Sequence, residues 1–189
     1  MKKAISAILC ALSFVYTIWY MHFATPYKHS GALSQIGIEH KLLFIIWGAL
    51  TFSALAYSIC LAYKRYLNTK IYIPLLAVSG IGMVLFLTFN FDYDNKTSYY
   101  LHCAGSLSFS VIMGTTIFLL FLLCFKKGLI FRILTFLCAA ILLTDLFMLL
   151  IFKENALIEV LPIFAGFIML NTVIFRRDKI ETKQYAEKS

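Results

Sequence analysis

Charge is what this sequence has least of. Only 14% of its 189 residues are Asp, Glu, Lys or Arg, while 61% are hydrophobic and the mean hydropathy is +0.85. Soluble globular domains carry about a quarter charged residues, so composition argues against that class. Metal-ligand and catalytic spacings are also missing. There is no compact HExxH or HxxxH pair, no strained serine turn of the nucleophile-elbow kind, and no polar stretch long enough for a separate soluble domain. The five cysteines, Cys10, Cys60, Cys103, Cys124 and Cys138, lack metal-ligand spacing. They all fall in apolar runs and read as small buried residues rather than disulfide partners.

What is present is a series of six apolar runs, at about 4–23, 42–63, 71–91, 99–125, 129–152 and 156–175. Each is close to the ~20 residues that carry a helix across ~30 Å of hydrocarbon. The expected fold is all-α: a polytopic membrane protein whose residues 1–175 form a bundle of six transmembrane helices, followed by a basic tail, RRDKIETKQYAEKS, over 176–189. The start, MKK before an apolar body, has the look of a secretory signal. That body is too long, and Trp19, Tyr20 and His22 stand where small residues would mark a cleavage site, so a retained first span is expected.

Of the 17 Lys and Arg residues, 13 fall in the N-terminal segment, the second and fourth loops and the tail, against Lys28, Lys41, Lys96 and Lys153 on the other side. The positive-inside bias then puts both termini in the cytoplasm. The net charge of +8 is accounted for by topology and contact with anionic lipid heads, with no nucleic acid partner expected.

With that topology the informative polar residues gather on the outer side. The first outer loop holds His29, Ser30, Ser34, Gln35, Glu39 and His40; the second holds Asp92, Asp94, Asn95 and Lys96, with His102 about one turn into the fourth run. Glu154 lies in the last outer turn, and Glu159 stands at the start of the sixth run. His102, Ser106, Ser110 and Gly114 recur at intervals of four, which predicts an inward-facing small-residue stripe headed by the histidine. Asp145 lies in the fifth run, seven residues before Phe152, on the order of 10 Å below the interface. A carboxylate at that depth is expensive and is expected to face protein, water or a partner. His102 is its expected partner, with Lys41 or Lys153 less directly placed. The structural alternative is a hydrogen-bond hub between helices. Ser79, Gly80 and Gly82 predict close packing of the third run, Pro162 a kink in the last, and Asn171 a bond to a neighbouring helix.

Two stretches resemble a known family. HSGALSQIGIEHKLLFIIWGAL resembles the first outer loop and second span of the bacterial family named domain of unknown function 998, through Ala32, Leu33, Ser34, Gln35, Ile36, Gly37 and the helix glycine Gly48. FNFDYDNKTSYYLH resembles the family's later segment, with Phe89, Asp92, Thr97 and His102 in matching order. Asn90 stands where that family usually has proline, and Gln35 where it has an acidic residue. The family is similar in turn to six-span eukaryotic membrane proteins of the FRAG, DRAM and SFK type, associated with lipid organisation and remodelling. The resemblance implies a multi-pass protein of a bacterial cytoplasmic membrane, a lipid connection, and an outer-face signature of Ser34, Gly37, Asp92 and His102.

Three functions are compatible with this pattern. The leading one is a protein that binds or organises a lipid-like ligand in an outward-facing polar pocket lined by Ser34, Gly37, Asp92, His102 and Asp145, with His102 as polar anchor. The second is a membrane-embedded hydrolase or acyl-transfer enzyme. In it His102 is general base, and Asp92 or Asp145 orients it or helps to hold a metal. The third is a noncatalytic accessory subunit whose Ser106–Ser110–Gly114 seam docks a membrane-protein partner. No particular cofactor is indicated.

Overall fold

The computed structural model describes residues 1–28, 31–152 and 155–176. His29, Ser30, Lys153, Glu154 and the tail from 177 onward lie outside the described residues. Among the described residues there are seven α-helices: α1 (Lys2–Met21), α2 (Leu33–Glu39), α3 (Lys41–Tyr66), α4 (Tyr72–Thr88), α5 (Lys96–Leu123), α6 (Leu129–Phe152) and α7 (Ala156–Phe175), with a 3-10 turn at Phe125–Lys127 before α6. There is no strand among the described residues. Five helices, α1, α3, α5, α6 and α7, are long and apolar enough to cross a membrane, and α4, of 17 residues, is apolar but shorter. The protein is therefore an all-helical, multi-pass membrane protein.

Helix boundaries are set by local polar chemistry. α4 stops at Thr88, short of the expected 91, because the next residues bond among themselves. The Ser98 hydroxyl accepts from the Asn90 amide and donates to the Asn90 carbonyl, both at 2.9 Å, and Asp92 Oδ1 accepts from the Asp94 amide at 3.0 Å. Such side-chain-to-backbone bonds compete with helix continuation. α5 then begins at Lys96, three residues before the expected 99, where the Asn95 side chain caps the Ser98 amide at 3.1 Å. Asn155 caps α7 in the same way, at 3.1 Å from the Ile158 amide.

α3 is the hub of the bundle and packs on α1, α2, α4, α5 and α7, while α6 lies at the edge against α5 and α7. Its seam with α1 is built from small polar groups. Ser6, Cys10, Ser13, Thr17 and Tyr20, spaced three or four apart, form the buried face of α1. Ser6 meets Ser58 at 2.7 Å, Ser13 meets Thr51 at 3.0 Å, and Trp47 Nε1 donates to Thr17 Oγ1 at 3.1 Å. Hydroxyls suit this setting because lipid gives helices no hydrophobic incentive to associate, leaving close packing and interhelical hydrogen bonds to do so.

α4 and α5 pack most closely of all. A Cβ added to Gly105 would lie 2.5 Å from the Phe86 amide nitrogen and 2.7 Å from the Gly82 carbonyl oxygen. Ser79 extends this seam by donating to the Phe109 carbonyl at 3.3 Å.

The buried stripe of α5 differs from the expected one. It runs through His102, Gly105, Phe109, Met113 and Thr116, whereas Ser110 is exposed and Gly114 faces Leu142 of α6. Steps of four drift round an α-helix by about 40° each, so a run of three such steps leaves its starting face; alternating steps of three and four keep to it.

At the basic end of the bundle, Arg65 donates to the carbonyls of Ile174 and Arg176, and the Tyr66 hydroxyl donates to the Val173 carbonyl at 2.7 Å. These bonds satisfy the last carbonyls of α7. Asn171 Oδ1 lies 3.5 Å from the Ser6 hydroxyl, which ties α7 to α1.

Candidate functional site

The opposite end of the bundle holds the candidate residues, but in three separate places. His102 is 2% exposed, and its Nδ1 lies 2.9 Å from the Phe89 carbonyl oxygen. A carbonyl only accepts, so Nδ1 carries the proton. The ring sits among Phe86, Phe91 and Phe44, with centroids 4.9, 5.3 and 6.4 Å away. It therefore pins the exit of α4 to the start of α5 within an aromatic cage. Asp92 is half-buried on the intervening loop and is occupied with the Asp94 amide.

Ser34 and Gly37 lie on α2, within the segment expected to be a loop. This short helix is held from outside. Glu159 of α7 accepts from the Leu33 amide at 2.6 Å and from the Ser34 hydroxyl at 3.4 Å, and the Tyr20 hydroxyl donates to the Leu33 carbonyl at 3.2 Å. Gly37 meets the Phe44 ring, which would lie 2.6 Å from a Cβ at that position. Leu33 and Ile36 bury the inner face of the helix.

Asp145 is elsewhere and does not pair with His102. Lys41 is engaged too, donating to Asn90 Oδ1 at 2.7 Å and to the Thr88 carbonyl at 3.3 Å. The helix order explains the separation. α6 packs on both α5 and α7, and Asp145 lies on its α7 side. There it borders a cleft of about 700 Å³ whose floor is Leu157, Ile158, Val160, Leu161 and Phe164 of α7. One wall is Ile18, Met21, His22, Ala24 and Pro26, and the other is Asp145 and Met148.

Asp145 Oδ1 is buried and has no hydrogen-bond partner among the described residues. His22 Nδ1 lies 2.7 Å from the Ile18 carbonyl, so it too is the protonated nitrogen. The cleft opens sideways from the bundle. Leu157 and Leu161 are half exposed (50% and 52%), and with Phe164 and Ile168 they form a stripe at steps of four, three and four.

Of the residues expected to share a pocket, only Asp145 lines this one, and Ser34, Gly37, Asp92 and His102 serve packing and loop geometry instead. His22 is the lining residue that sequence reasoning missed. Its polarity was visible, but nothing in the sequence says that α1 and α6 flank α7. Among the described residues, no three of His, Cys, Asp and Glu come together as a metal-ligand set. Compared with protein-family models, curated proteins and solved structures, the chain finds no match in any of the three.

Proposed function

We propose that this is a six-span protein of a bacterial cytoplasmic membrane, with both termini cytoplasmic, that holds a lipid-like ligand in the lateral cleft between α1, α6 and α7. The cleft supports this reading through its chemistry: an apolar floor and walls, an opening toward the bilayer, and a buried Asp145 carboxylate oxygen left without a partner among the described residues. An unsatisfied polar atom at membrane depth is unfavourable by about 1–3 kcal/mol or more, and a bound amphiphile with a polar end removes that penalty. The residue resemblance to domain of unknown function 998, with its lipid-associated relatives, agrees with the reading. The clustering of Lys and Arg at one end supports the orientation. The hydrolase alternative draws less support, since its general base, His102, is bonded to a backbone carbonyl inside an aromatic cage.

The experiment is lipid mass spectrometry on full-length protein purified in mild detergent. A retained lipid is expected with the wild type. Leu161→Trp fills the cleft from a half-exposed position, and it is expected to remove that lipid at unchanged melting temperature. Equal lipid content in the two proteins, or none in either, overturns the reading.

A further inference from the structure

Resting on the proposed lipid site, we infer that its ligand is a membrane amphiphile with a primary ammonium head, bound with the ammonium against Asp145 and an acyl chain running inward along Phe164 and Ile168 of α7. The polar groups of the cleft carry this because they are acceptors. Asp145 Oδ1 is buried and unpartnered among the described residues. His22 commits its Nδ1 proton to the Ile18 carbonyl, which leaves Nε2 as the nitrogen that accepts when the ring carries one proton. Pro162 lies inside α7, one turn beyond Ile158. It has no N–H to return to the Ile158 carbonyl, which is thereby released from the helix ladder. Asp145, His22 and Ile158 all line the same cleft, and among the described residues no Lys or Arg lines it.

Acceptors, one of them a buried carboxylate oxygen, suit a group that brings donors, one positive charge and no acceptor, which describes a primary ammonium. A phosphate or carboxylate head would face the Asp145 carboxylate with like charge. A quaternary ammonium would bring charge without donors, and a hydroxyl would bring one donor without charge. The position fits as well. Asp145 lies seven residues from the end of α6 at Phe152, about 10 Å along the helix, just below the level where lipid head groups begin. From that depth Phe164 and the exposed Ile168 of α7 continue toward the middle of the bilayer as a track for a chain, while Leu157 and Leu161 lie on the head-group side.

The test uses the full chain in nanodiscs of phosphatidylcholine containing equal minor fractions of phosphatidylethanolamine, phosphatidic acid and diacylglycerol, followed by release into mild detergent and native mass spectrometry of the retained lipid. Phosphatidylethanolamine is expected to be enriched about tenfold or more over its share, the factor that one charge-assisted hydrogen bond provides. Asp145→Asn removes the charge and keeps the shape, and it is expected to abolish the enrichment. His22→Phe, at an exposed position that leaves the fold intact, lowers it by a smaller factor. If lipid is retained without preference for phosphatidylethanolamine, or if diacylglycerol or phosphatidic acid is the enriched species, the ammonium inference falls while the lipid site stands. Enrichment that survives both substitutions also overturns it. Retention of no lipid by the wild type overturns the lipid site itself.

Discussion

The Glu159 carboxylate on α7 accepts a 2.6 Å hydrogen bond from the amide of Leu33, 126 residues earlier in the chain, and so caps the first turn of α2. A seven-residue helix is too short to hold itself in helical form, so this cap and the apolar contacts of Leu33 and Ile36 are what keep it folded.

Replacing Glu159 by Ala is expected to loosen α2. The loss of a capping carboxylate is worth about 1–2 kcal/mol, so amide hydrogen exchange over residues 33–39 should accelerate by about tenfold while the middle of α3 stays protected. Unchanged exchange in α2 would show that Leu33 and Ile36 alone hold it.

His102 is a structural donor in this arrangement. His102→Phe keeps an aromatic ring among Phe44, Phe86 and Phe91 but loses the bond to the Phe89 carbonyl. A loss of about 1 kcal/mol is expected, a drop in melting temperature of roughly 2–4 °C for a chain of this size. Lipid retention in the α1–α6–α7 cleft should not change, and if it does, His102 and Asp145 are coupled in a way their positions do not indicate.

A glycine at the α4–α5 seam should be intolerant, and one on the side of α4 that faces α3 permissive. Gly105→Leu drives a side chain into the backbone of α4, at 2.5 Å from the Phe86 nitrogen, and about 3 kcal/mol of destabilisation is expected. Gly80→Ala meets only the far edge of the Phe52 ring, at 3.2 Å, and should cost less than about 1 kcal/mol. Thermal unfolding in detergent, followed by tryptophan fluorescence, ranks the two, and equal effects would contradict the seam as described.

Topology can be read with thiol chemistry. Lys28→Cys and Lys126→Cys place a cysteine at opposite ends of the bundle, and both native residues are exposed. In intact cells a membrane-impermeant maleimide is expected to label the former and spare the latter. The reverse pattern would invert the proposed orientation.

The sequence by itself determined the class of this protein and the approximate places of its long apolar helices. Apolar runs of membrane-spanning length leave the backbone no alternative to helix, because in lipid every N–H and C=O must be satisfied within its own segment. Local residues also fixed the caps at Asn95 and Asn155, whose side chains reach amides only three positions ahead. Only the tertiary structure decided which polar residues meet. Spacing of four could not tell which face of α5 is buried, and the turn chemistry around Ala32 could not reveal that Glu159 would arrive to make α2 a helix. The order of the helices was equally hidden. It sends Asp145 toward His22 rather than toward His102, because one carboxylate on a spanning helix follows whichever neighbours that helix packs between.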